Sequence, residues 1–169
     1  MDVEQLIRLL RLEPLPVEGG YFRQTWSSDV QMPASALPAR YSSPRPAGTA
    51  IYYLLTSDPD SFSAMHRLTS AEVYHFYLGD PVEMLLLHPE PEAQRIVLGP
   101  DLAAGQHVQY VVPRSVWQGS RLVRGGRFAL LGTTMAPGFD PADFTLGSRD
   151  ELIRHFPDEA ALIRELTRG

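Results

Sequence analysis

The side chains best suited to proton transfer or metal binding near neutral pH are histidines, and this chain has five: His66, His75, His88, His107 and His155. Only two lie close together with an acid between them, in the spacing His66-x5-Glu72-x2-His75. Nitrogen and carboxylate donors together suit zinc, iron, manganese or nickel. The same His66 imidazole suits abstraction of a proton from a carbon next to a carbonyl, with Glu72 orienting it. The ordinary alternative is a satisfied polar pair on two hairpin-linked strands, with Glu72 paired to Arg67. Strand parity bears on the choice. Along Glu72-Val73-Tyr74-His75 a regular strand sends Glu72 and His75 to opposite faces, so both reach one cavity only if a bulge intervenes.

Other residues offer binding chemistry. Tyr21, Tyr52, Tyr53, Tyr74 and Tyr77 carry phenolic hydroxyls, although strand tyrosines mostly pack. Trp117 with Gln118 after Pro113 pairs a stacking surface with an amide, or is plain core. Glu18-Gly19-Gly20 brings a carboxylate and close backbone approach, or makes only a turn. Arg23, Arg67 and Arg114 suit an anionic ligand group, or are surface charges. The chain has no GxGxxG, P-loop, GxSxG or HExxH motif.

These residues need a scaffold, and the pattern is that of β-structure. Strand-like runs cover Thr49–Thr56, Ser61–Leu68, Glu72–Leu78, Val82–Leu87, Arg95–Leu98, His107–Val112 and Arg127–Met135, preceded by Tyr21–Trp26. Turn signals recur about every ten residues between them, as in sandwiches and barrels, including Pro89 to Pro91. No amphipathic crossover helix separates the runs, which excludes a parallel α/β sheet. Val3, Leu6, Ile7 and Leu10 share one helical face, and Asp2 with Gln5 forms a capping box before them. Ser148 with Glu151 is a second capping box opening a short helix, and Pro157 starts another. These helices are expected to cover a sheet face or edge. The Pro-rich stretch Ser28–Gly48 has no apolar period and is expected to be a surface or lid loop.

Composition limits the partners. The 169 residues fill one domain, 1–169, and 44% of them are hydrophobic. The net charge of −5 argues against nucleic acid and anionic membrane, both of which reward a basic field. No apolar run approaches the roughly 20 residues of a membrane helix, and MDVEQLIRLL is no signal peptide. The absence of cysteine excludes disulfides, thiol nucleophiles and CxxC zinc, and with the missing leader predicts a cytoplasmic protein.

The run from His66 to Gly79 resembles the first motif of the cupin superfamily, His-x-His, three or four residues, Glu, six residues, Gly. His66, Glu72 and Gly79 match, while Leu68 stands at the second histidine. The second motif, Pro-x-Gly-x-x-His, falls on Pro113–Gln118, with Ser115 for the glycine and Gln118 for the histidine. A narrower resemblance covers nearly the whole chain. It runs through Glu18–Arg23, Thr49–Leu55, His66–Leu68, Glu72–Pro81, Leu98–Leu102, Val112–Trp117 and Ala136–Asp140. These blocks look like an uncharacterised cupin-like family in the jelly-roll group that includes sugar-nucleotide epimerases. Two departures are Pro16-Val17, where His-Pro is expected before Glu-Gly-Gly, and Gln24, where an acid is expected.

The resemblance implies an all-β double-stranded β-helix, the cupin jelly roll, with flanking N- and C-terminal helices and a pocket in the barrel. The expected ligand is a small polar molecule, sugar-like or anionic. The candidate reaction is metal-free isomerisation or epimerisation with His66, Glu72 and Tyr52 as catalytic groups. His75, Trp117, Gln118, Arg67, Glu18 and Tyr21 are the expected binding residues, with Trp117 and Gln118 near the rim. No cofactor is expected; the alternatives are a non-catalytic binding module, or a metal-dependent enzyme using His66, Glu72 and His75. A homodimer is expected, with Tyr21–Trp26 at the contact.

Overall fold

The computed structural model describes residues 2–90 and 92–168, so Pro91 of the expected turn at 89–91 lies outside the described residues. Helix α1 (Val3–Leu10) opens the chain with the expected capping box: Asp2 accepts from the Gln5 backbone at 2.7 Å, and Gln5 accepts from Asp2 at 3.1 Å. The strands are β1 (Glu13–Pro14), β2 (Tyr21–Ser27), β3 (Gln31–Met32), β4 (Arg45–Pro46), β5 (Thr49–Thr56) and β6 (Ser63–Leu68). Next come β7 (Glu72–Gly79), β8 (Val82–Leu87), β9 (Ala93–Leu98), β10 (Gln109–Val112), β11 (Trp117–Leu122), β12 (Phe128–Met135) and β13 (Phe144–Leu146). Helices α2 (Arg149–His155) and α3 (Ala160–Glu165) close it. Ser148 makes no side-chain cap bond on α2, contrary to the expected capping box.

Two sheets form the jelly roll, ordered β1-β2-β5-β12-β7-β10 and β13-β6-β11-β8-β9. The strand pairs are antiparallel. Between the sheets lies a core from alternate positions, with Tyr53, Leu55, Tyr74, Met84, Leu86, Leu98 and Leu131 fully buried. The outward faces are covered separately. Helices α2 and α3 bury Leu152, Leu162 and Ile163 on Met65, Leu85 and Leu87 of the five-stranded sheet. Helix α1 packs Leu6 against Leu54, Phe128 and Leu130 of the other.

Strand β11 was not anticipated, because Trp117-Gln118-Gly119-Ser120-Arg121-Leu122 puts polar Gln118 and Ser120 on the inward face, where apolar alternation is the usual signal. The stretch Ser28–Gly48 differs too. Rather than a lid, it is a pinned excursion containing the β3–β4 ribbon. Arg45, 1% exposed, makes a two-pronged ion pair with Asp143, both bonds 2.8 Å, and Tyr41 meets Ser70 at 2.6 Å.

Candidate functional site

A register shift in β6 shapes the site. Gln118 of β11 faces His66, but Ser120 faces Ser63, leaving Ala64 and Met65 without a partner on β11. Such bulges re-aim side chains next to sites. The Ala64 amide donates to the Glu18 carbonyl at 2.9 Å, and the Ala64 carbonyl accepts from His66 Nδ1 at 2.8 Å. A carbonyl only accepts, so Nδ1 carries a proton, and of the two neutral tautomers the one this contact allows has its lone pair on Nε2. Phe144 stacks on the ring at 5.0 Å and 20°.

Glu18 comes from the turn between β1 and β2. Gly20, at φ +72°, lets that turn approach β5, where a Cβ would meet the Leu54 carbonyl at 2.8 Å. Tyr53 donates its hydroxyl to the Gly19 carbonyl at 3.0 Å, and Ser63 donates to Glu18 Oε1 at 2.8 Å. Arg168, near the other end of the chain, fastens the same turn. It donates to the carbonyls of Val17, Glu18 and Asp60 at 3.1–3.3 Å while lying over Phe62.

Glu72 opens β7 on the inward face, and Gln118 Nε2 donates to its Oε2 at 2.8 Å. Burial pushes the Glu72 carboxyl above the usual carboxylate range and Glu18 adds to this; His66, Thr133 and Gln118 oppose it. Burial likewise raises the Tyr53 and Tyr74 phenols well above their ordinary value, so both are neutral donors.

These groups meet at a cavity of about 100 Å³ between the sheets. Its polar wall is Glu18, Gln24, Thr49, His66, Glu72 and Thr133; Leu15, Phe22, Ile51, Leu68, Met135, Phe139 and Phe144 complete it. Of the expected site residues, His66, Glu72 and Glu18 come together here, with Gln118 buried beside Glu72 rather than at a rim.

The others lie elsewhere, for reasons of parity. His75 faces outward, with Nε2 3.1 Å from Thr134 Oγ1, Gln109 3.3 Å from Nδ1 and Tyr77 stacked beside it. The β7 register shift falls at Tyr77, beyond His75, and does not turn it inward. Tyr52 is one residue out of phase with Tyr53. It sits on the outer face between Arg23, 5.5 Å from its ring, and Tyr77, and cannot act in the cavity. Tyr21 packs with the α1 cluster. Trp117 and Arg67 stack on each other at 4.6 Å outside the five-stranded sheet. Gln24, Thr49 and Thr133 line the cavity although sequence reasoning passed them over; inward parity with Phe22, Ile51 and Leu131 was the available signal.

A cupin metal centre would need donors from four positions. His66 and Glu72 are present, but Leu68 is apolar and Gln118 offers a neutral amide oxygen where the pattern has an imidazole. His75 lies across the sheet, so the set His66, Glu72, His75 cannot assemble. Among the described residues no three His, Cys, Asp or Glu converge in a metal-holding group. The residues present do not fit that metal.

Residues 4–147 match the family model described as Cupin superfamily (DUF985), and the chain belongs to this family. It is 29% identical over 154 residues to the uncharacterized protein YML079W of Saccharomyces cerevisiae, covering 85% of this chain and 76% of that one. Protein SO0799 from Shewanella oneidensis superposes with a TM-score of 0.86 at 32% identity, covering 100% of this chain and 99% of that one. A hypothetical protein from Leishmania major gives 0.88 at 28% identity over 100% of both. A cupin 2 domain-containing protein from Halorhodospira halophila, 15% identical over 92% of this chain and 88% of that one, gives 0.57 and shares the fold.

Proposed function

We propose that the barrel binds a small, uncharged, hydroxyl-bearing carbonyl compound and moves a proton on it without a metal, as an isomerase or epimerase does. The observation that carries this reading is the His66 ring. Its Nδ1–H is committed to the Ala64 carbonyl, which leaves Nε2 as a base at the cavity. Glu72, its carboxyl raised by burial, is the partner that holds and returns a proton. Glu18, held by Ser63, accepts a ligand hydroxyl. Two carboxyl groups and no arginine line the cavity, which disfavours the anionic ligand once expected. About 100 Å³ is less than the roughly 150 Å³ cavity that holds benzene, so the enclosed space suits a three- or four-carbon unit rather than a whole sugar nucleotide.

Dihydroxyacetone, glycolaldehyde and erythrulose incubated with the protein in D2O, followed by proton NMR, test the reading. Wild type should exchange the C–H next to the carbonyl, and His66→Ala should lose roughly 10²–10⁴-fold in rate. Saturable binding without exchange would reduce the barrel to a binding module; neither binding nor exchange overturns the reading.

The same proposal includes a homodimer. Its support is the outer face of the six-stranded sheet, where Trp26, Tyr77 and Val111 are about half exposed. Light scattering that returns a monomer at tens of micromolar removes it.

A further inference from the structure

A second cleft lies outside the barrel, independent of the reading above. It measures about 350 Å³ and is lined by Arg40, Arg67 and Arg114 with Thr69, Ser115 and Thr145. The chain as a whole carries −5, so three guanidinium groups around one recess run against the average surface. Among the described residues none of the three forms an ion pair. The acid in the cleft wall is Asp143, whose two oxygens are both taken by buried Arg45. Its charge is cancelled where it stands.

Two of the three arginines are also positioned. Arg67 lies over Trp117 at 4.6 Å and Arg40 over Tyr41 at 4.9 Å, and Tyr41 is buried and bonded to Ser70. A guanidinium held over an aromatic ring still has N–H groups to offer an oxyanion. A further observation concerns Ser115. It occupies the cupin motif's glycine position and has φ +66°, a left-handed conformation that glycine adopts with less strain. Ser115 lines the cleft beside the arginines.

We propose that this cleft binds the phosphate end of a small phosphorylated molecule, with Arg40, Arg67 and Arg114 as charge partners and Ser115 and Thr69 as hydroxyl donors. Three arginines favour a group with two or more negative charges. Inorganic pyrophosphate, titrated calorimetrically into the full chain, is the first probe. One equivalent should bind, and Arg67→Ala and Arg114→Ala should each weaken binding about tenfold or more. Arg124→Ala, which removes an exposed arginine from the β11–β12 turn, should change it less than about twofold. Glycerol phosphate should displace pyrophosphate, which identifies a phosphate ester as a ligand. His66→Ala should leave the titration unchanged, which separates this cleft from the barrel. The proposal is overturned by absent binding, by equal weakening from Arg124→Ala, by failure of glycerol phosphate to compete, or by loss of binding in His66→Ala.

Discussion

Gln118 Nε2 donates to Glu72 Oε2 at 2.8 Å in the space between the two sheets. At the same two motif positions the cupin pattern places a histidine and a glutamate that share a metal. Here the amide reaches the carboxylate directly, and the link from β11 to β7 is a neutral donor on a buried acid. Among the described residues Gln118 Oε1 and Ser120 Oγ are buried without a hydrogen-bond partner, so this part of the barrel retains hydrogen-bonding capacity.

The double substitution Leu68→His with Gln118→His completes a four-donor set around His66 and Glu72. It should give a protein that takes up one equivalent of zinc or nickel, measured by elemental analysis after purification without tag or chelator. Wild type treated alike should hold far less than one equivalent. Stoichiometric metal in wild type would contradict the account of Leu68 and Gln118.

Glu72 binds its proton more tightly in the folded barrel than in the unfolded chain, because burial raises its pKa. Its contribution to stability is therefore full below the ordinary glutamate value of about 4.3 and is lost as pH rises through the folded value. Glu72→Gln removes that dependence. Melting curves should show the variant gaining on wild type as pH rises from about 4.3 toward neutrality. A constant offset across that range would mean that Glu72 titrates normally.

Removing Asp143 strands the buried Arg45 guanidinium. Breaking such a pair costs about 3–5 kcal/mol, and in a chain of this size each kcal/mol moves the melting point by about 2–4 °C. Asp143→Ala should therefore melt many degrees below wild type and expose the 28–48 segment to protease. A shift within one or two degrees would show that the pair does not hold this segment.

Ser115→Gly relieves the left-handed backbone at φ +66° and should raise stability by about 1 kcal/mol. Ser115→Ala keeps the Cβ and should give no such gain, so the two melting points separate strain from loss of the hydroxyl.

The β-sandwich was legible because its core strands alternate: Ile51, Tyr53 and Leu55 face in while Tyr52 and Leu54 face out. The same parity separates Glu72 from His75, and a one-residue count from Tyr53 places Tyr52 on the outer surface. The site was legible in part, through His66, Glu72 and the Glu18 turn. Strand β11 was hidden by its chemistry, since Gln118 and Ser120 face in to meet the site and erase the apolar period. Arg45 and Asp143 stand 98 residues apart, and no local pattern announces a pair that only the closed barrel brings together. The β6 bulge is a property of two strands in register, invisible in either alone.

Glu18 and Arg168 lie 150 residues apart, yet the guanidinium of one holds the turn that presents the other. Arg168 gives that turn two hydrogen bonds, to the Val17 and Glu18 carbonyls, and its third, to the Asp60 carbonyl, ties the turn to the β5–β6 connection. The acid side of the pocket is thus braced from outside by an exposed side chain, and a change at that surface position reaches whatever the interior binds.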